Sequence, residues 1–92
     1  MNKVNASHIL VKTIGDANEI LYDVTDGGKS FEEIAKEKSD CPSGKNGGNL
    51  GWFGRNQMVK EFEKAVLKLK VGELSPEPVK TKFGYHIIKR TG

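Results

Sequence analysis

Ninety-two residues suffice for one hydrophobic core and leave no room for a second, so residues 1–92 are expected to form a single domain. With 36% hydrophobic and 29% charged residues, and no apolar run near the ~20 residues of a membrane span, the composition is that of a soluble globular chain and excludes a transmembrane one. Fifteen basic residues against 12 acidic ones give a net charge of +3, but the two signs are interspersed, so charge alone selects no partner. The start lacks an apolar leader, and Cys41, the single cysteine, has no partner for an internal disulfide; both lead to the expectation of a cytoplasmic protein.

In chain order, Ala6 to Val11 is short, partly β-branched and bounded by polar residues, which predicts a buried strand with His8 and Leu10 on one face and Ile9 and Val11 on the other. Asp16 followed by Glu19 is a capping-box pattern, and Ala17, Ile20, Leu21 and Val24 continue at helical spacing until Gly27-Gly28. Ser30 with Glu33 repeats the start signal for a second helix, with Phe31, Ile34 and Ala35 as its apolar stripe and an end near Lys38. The glycine-rich stretch Ser39 to Gly51, headed by Cys41, is expected to be loop or single helical turns.

Leu50 to Gly54 reads as a short strand, followed by a turn at Arg55-Asn56. Val59, Phe62, Val66 and Leu69 then recur at three- and four-residue intervals, predicting a helix closed by Gly72. A third strand is expected around Leu74 to Lys80, punctuated by Pro76 and Pro78. The last is the alternating run Tyr85 to Arg90, with His86 and Ile88 on one face. The order β-α-α-loop-β-α-β-β indicates an α+β domain with an antiparallel sheet.

Five separated segments together carry a family resemblance: Ser7-His8-Ile9-Leu10-Val11-Lys12, Ser39-Asp40-Cys41-Pro42-Ser43-Gly44-Lys45, Gly48-Asn49-Leu50-Gly51, Gln57-Met58 with Phe62, and Phe83-Gly84-Tyr85-His86-Ile87-Ile88. In order and spacing the chain resembles the parvulin-type peptidyl-prolyl cis/trans isomerases, over essentially its whole length. The resemblance implies an FKBP-like superfold: a four-stranded antiparallel sheet surrounded by about four helices in the order β-α-α-α-β-α-β-β, with both histidines adjacent on central strands. It implies that His8, Cys41, Thr81 and His86 form the polar catalytic site. Leu50, Met58, Phe62 and Phe83 then form the proline pocket, with Gln57 at its rim. The implied reaction is non-covalent isomerisation of Xaa-Pro bonds in unfolded or flexible polypeptides, assisting folding, with no cofactor and no metal, by a monomer.

Two departures from the family pattern carry meaning. Phosphate-directed members have a longer, arginine-rich loop after the first strand, whereas Lys12-Thr13-Ile14-Gly15-Asp16 is short and lacks arginine, so phospho-specificity is not expected. Many parvulins carry aspartate where this chain has Cys41, so the thiol is not a nucleophile common to the family.

Other readings of the same residues exist. A strand histidine is most often a hydrogen-bonded core residue, and Met58 with Phe62, four apart on a helical face, ordinarily means core packing. Cys41 with a histidine has the residue types of a cysteine hydrolase, but no oxyanion hole or third orienting group is identifiable. Zinc held by His8, His86 and Cys41 lacks a close pair of ligands to anchor it. Lys60, Lys64 and Lys68 recur every four residues, with Lys70 beyond, forming a basic stripe that offers weak contact to an anionic membrane or nucleic acid; Glu61 and Glu63 dilute it.

Overall fold

The first strand, β1 (Val4–Val11), is central because its alternation supplies apolar side chains to both faces. The structure is a computed structural model that describes residues 3–92; the expected entry of Met1-Asn2 into the first strand lies outside the described residues. Four antiparallel strands run in the spatial order β2-β1-β4-β3, with β2 (Asn49–Phe53), β3 (Val79–Thr81) and β4 (Gly84–Arg90). Helices α1 (Ile14–Thr25), α2 (Phe31–Lys38) and α3 (Lys60–Leu67), with a 3-10 helix at Pro42–Asn46, complete the α+β fold that the parvulin resemblance implied. Among the described residues no helix is long and apolar enough to cross a membrane.

Each face of the sheet has its own core. Ile9, Val11 and Ile87 pack with Ala17 and Ile20 of α1 and Phe31, Ile34 and Ala35 of α2. On the other face Val4, Ala6, Ile88 and Phe53 pack with Phe62 and Val66 of α3 and with Leu69. The two histidines belong by parity to this second face, and that places the site.

Local expectations are corrected at three places. Helix α1 starts one turn before Asp16: Thr13 is its N-cap, and the Thr13 Oγ1 accepts the Asp16 N–H at 3.1 Å. Thr13 and Asp16 have the same three-residue spacing as Asp16 and Glu19, and a hydroxyl in extended backbone wins the cap while Asp16 complements the helix dipole from the first turn. The third strand is only Val79–Thr81, because Pro76 and Pro78 have no N–H to give a ladder. Leu74 forms a lone bridge to Lys89, and Ser75 donates its N–H to the Ile88 carbonyl at 2.7 Å while its hydroxyl accepts the Ile88 N–H. Helix α3 ends at Leu67 rather than continuing to Gly72, so Lys68 is its C-cap and Lys70 lies in the following turn. Ser30, by contrast, caps α2 as predicted, accepting the Glu33 N–H.

Candidate active site

The sheet register places the two histidines diagonally on adjacent central strands, His8 opposite Ile88 and His86 opposite Leu10. Their rings stack at 5.0 Å between centroids and 17° between planes, and Nδ1 of one lies 2.8 Å from Nδ1 of the other. Phe62 of α3 meets both edgewise, at 5.4 Å from His8 and 5.3 Å from His86. Both imidazoles are buried, at 5% and 3% exposure. Burial lowers His8 to a pKa of about 4, with the neighbouring charge of His86 adding to the effect, and burial also lowers His86 to about 4. The pair is therefore neutral at physiological pH.

Because both rings are neutral, a single proton lies between their two Nδ1 atoms. Thr81 Oγ1 accepts the Phe83 N–H at 3.2 Å and lies 2.7 Å from His86 Nε2. Two proton arrangements satisfy the link: the Thr81 hydroxyl donates to His86 Nε2 while the His86 Nδ1–H donates to His8 Nδ1, or the His8 Nδ1–H donates to His86 Nδ1 while the His86 Nε2–H donates to Thr81 Oγ1. In both, His8 Nε2 is a buried atom with no hydrogen-bond partner among the described residues.

Beside this pair lies a cavity of about 460 Å³. Its floor is His8, His86 and Leu10 of the sheet. Phe62 of α3, with Met58 and Val59 just before it, supplies one wall, and Leu50 of β2 another. Asp40, Cys41 and Pro42 form a third side, while Gln57 and the exposed Phe83 stand at the mouth. Gln57 Oε1 is held by the Gly54 N–H at 2.7 Å. Phe62 is buried and Met58 half-buried, yet both present surface to the cavity, so neither is sealed in the interior.

The loop over the site is pinned by backbone contacts. Ser39 Oγ accepts the N–H groups of Leu10 and Cys41, and Asp40 donates its N–H to the Leu10 carbonyl at 2.7 Å. Ser43 Oγ donates to Cys41 Sγ at 3.3 Å. The carbonyl of Gly48, a residue at φ +86°, accepts the His8 N–H at 2.9 Å, and a side chain there would collide with the His8 carbonyl.

Of the residues named from sequence, His8, His86, Cys41, Leu50, Gln57, Met58, Phe62 and Phe83 converge on this one cavity. Thr81 stands behind it, bonded to His86. Sequence reasoning did not single out Leu10, Asp40, Pro42 and Val59 as lining residues. Leu10 and Val59 had visible signals, parity with His8 and the helical spacing to Phe62; Asp40 and Pro42 border the site only because the chain folds back. The lysines lie elsewhere: none lines the cavity. Among the described residues no group of three or more His, Cys, Asp or Glu side chains is placed to hold a metal ion.

Known proteins share this architecture and sequence. The chain is 58% identical over 90 residues to the foldase protein PrsA of Geobacillus kaustophilus, covering 97% of this chain but 31% of that protein, so it spans about a third of that relative's length. A peptidyl-prolyl cis-trans isomerase, Pin1 of Malus domestica, is 41% identical over 116 residues, and there 99% of this chain matches 95% of the relative. The solution structure of NmPin, the parvulin of Nitrosopumilus maritimus, superposes with a TM-score of 0.85 at 50% identity, covering the whole of this chain and 98% of that one. The rotamase family model, the PPIC-type PPIase domain, matches residues 7–92, and with these relatives it establishes that the chain belongs to the parvulin family of peptidyl-prolyl isomerase domains.

Proposed function

We propose that this chain accelerates cis/trans exchange of Xaa-Pro bonds in flexible or unfolded polypeptide segments by binding the twisted amide without covalent chemistry, and so assists folding. The observation that carries the reading is the mostly apolar cavity, large enough for a prolyl ring, set against a neutral, hydrogen-bonded histidine pair.

The barrier is about 20 kcal/mol because amide resonance is lost halfway through the rotation, and uncatalysed exchange takes tens to hundreds of seconds. No bond breaks. A ten-thousandfold acceleration asks for only about 5.5 kcal/mol of differential binding, since each ~1.4 kcal/mol gives a factor of ten.

Leu50, Met58 and Phe62 hold the pyrrolidine ring, with the flexible thioether adapting to its pucker. Excluding water from the carbonyl before proline weakens the dipolar resonance form and lowers the cost of twisting. In this reading His8 and His86 set the shape and polarity of the floor, Thr81 orients His86, and Cys41 sits beside the carbonyl and tunes its surroundings. Neither histidine acts as a general base, because planar and twisted amide carry the same protons.

Protease-coupled or NMR exchange kinetics on an Ala-Pro peptide test this. Wild type is expected to be active, and Cys41→Ala to remain within about tenfold of it, as a cost near 1.4 kcal/mol or less implies. Loss of all turnover in Cys41→Ala would overturn the non-covalent mechanism in favour of an acyl-transfer site.

Outside the cavity, Lys60, Lys64, Lys68 and Lys70 are all exposed and make no ion pair among the described residues. Their layout supports weak contact with an anionic membrane or nucleic acid. Salt-sensitive vesicle or RNA binding that survives neutralising all four would remove that assignment.

A further inference from the structure

We propose that this chain is its own substrate: folded copies catalyse the cis-to-trans correction of the chain's own Xaa-Pro bonds in copies that are still folding. This deepens the isomerase reading and rests on it. The sequence holds three such bonds, Cys41-Pro42, Ser75-Pro76 and Glu77-Pro78, and all three are trans in the folded chain. In an unfolded chain about 10–30% of each is cis, so between about a quarter and two thirds of the molecules begin folding with at least one wrong isomer.

Each bond lies in a segment that completes the active site. Cys41-Pro42 stands where the loop enters the 3-10 helix, between the Asp40 N–H held by the Leu10 carbonyl and the Gly44 N–H held by the Cys41 carbonyl. A cis bond there shortens the Cα–Cα step from about 3.8 to about 2.9 Å and turns the chain, so the two anchors do not form together and the Cys41 wall of the cavity is missing. Ser75-Pro76 and Glu77-Pro78 lie between Ser75, fixed by two hydrogen bonds to Ile88, and Val79, paired with His86 at the start of β3. A wrong isomer there pulls β3 out of register and takes Thr81 away from His86. A molecule with any of the three bonds in cis therefore lacks a finished site and has no means of catalysing its own correction. The catalyst is a second copy. The bonds are within its reach, since Pro42 and Pro76 are exposed and Pro78 is half-buried even in the folded chain.

The test is refolding from urea at several total concentrations, followed as regained turnover of an Ala-Pro peptide. Uncatalysed, the slow molecules return over tens to hundreds of seconds, a rate near ~0.01 per second. With kcat/KM at the low end of the enzyme range, about 10⁴ M⁻¹s⁻¹, the slow rate should double near about 1 μM and rise about tenfold near 10 μM. Folded Met58→Ala added in place of folded wild type should give about a tenth of that gain. Unfolding for only a few seconds, too short for isomerisation, should abolish the slow phase. A slow phase that survives brief unfolding, no slow phase after long unfolding, or a slow rate independent of concentration in a preparation that turns over Ala-Pro overturns the self-substrate assignment and leaves the isomerase reading intact. No turnover of Ala-Pro by the folded protein overturns both.

Discussion

Burying two neutral histidines should make the protein lose stability on mild acidification, in a pH window set by these residues. The unfolded chain binds protons on its histidines near the ordinary pKa of 6.5, whereas the folded pair resists until about 4. Between those values the unfolded state holds more protons than the native one, so stability rises with pH through the window and is fully present above it. Going from neutrality to about pH 5, a shift of this size costs about 2 kcal/mol per ring; the two rings share a hydrogen bond and titrate as a pair, so the expected loss is about 2–4 kcal/mol. A domain of this size has only about 5–15 kcal/mol to lose.

The chain has no other histidine, and Glu32, whose carboxyl is lowered by its backbone hydrogen bond, adds acid sensitivity only below the ordinary carboxylate range. Urea denaturation at several pH values between about 5 and 7.5 measures the slope. The double variant His8→Leu with His86→Phe removes both groups and should show no slope there, whatever its absolute stability. A wild-type midpoint independent of pH, or imidazole titrations by NMR centred near the ordinary value, would refute the linkage.

Other substitutions separate scaffold from pocket. Gly48→Ala combines a positive φ with a collision at the His8 carbonyl, and should destabilise by at least about 2 kcal/mol, seen as a fall in melting temperature of roughly 10 °C. Met58→Ala, at a half-buried cavity wall, should cost under about 1.5 kcal/mol of stability yet lower kcat/KM on an Ala-Pro peptide about tenfold. Thr81→Val deprives both His86 Nε2 and the Phe83 N–H of their partner, so a loss of about 2–3 kcal/mol is expected in chemical denaturation, with Thr81→Ser restoring most of it.

How much of the molecule is legible from its residues depends on the range of the interactions. Strand β1 announces its two faces through alternation, and the packing of Ile9 and Val11 against the helices opposite His8 is a consequence. Ser30 likewise betrays its cap, because a hydroxyl three residues before Glu33 is a local signal. The meeting of His8 with His86 has no such signal, since the two lie 78 positions apart and only strand order decides it. That juxtaposition came from the family resemblance. Asp40 escapes notice because a loop folding over the sheet leaves no periodic mark, whereas Val59 shares the helical spacing of Phe62 and its facing the cavity is decided by the packing of α3. Where sequence misleads, at Asp16 and at residues 74–78, a nearby competitor wins: a better cap in Thr13, and prolines that deny the ladder its donors.

Stability and catalysis meet in the same desolvation. The dry setting that drives both histidines neutral also lines the cavity floor with two imidazoles held by fixed hydrogen bonds, and in the proposed reading that floor replaces water around the substrate carbonyl. A charged imidazolium would hold the planar amide's negative oxygen firmly and so favour the ground state over the twist; a neutral pair does not. Phe62, lying edge-on to both rings, keeps water out from the α3 side, and the Ser39 contacts hold the Cys41 loop over the other. Replacing either histidine by a permanently charged residue should therefore harm turnover more than replacing it by a neutral residue of similar size, even where both variants fold.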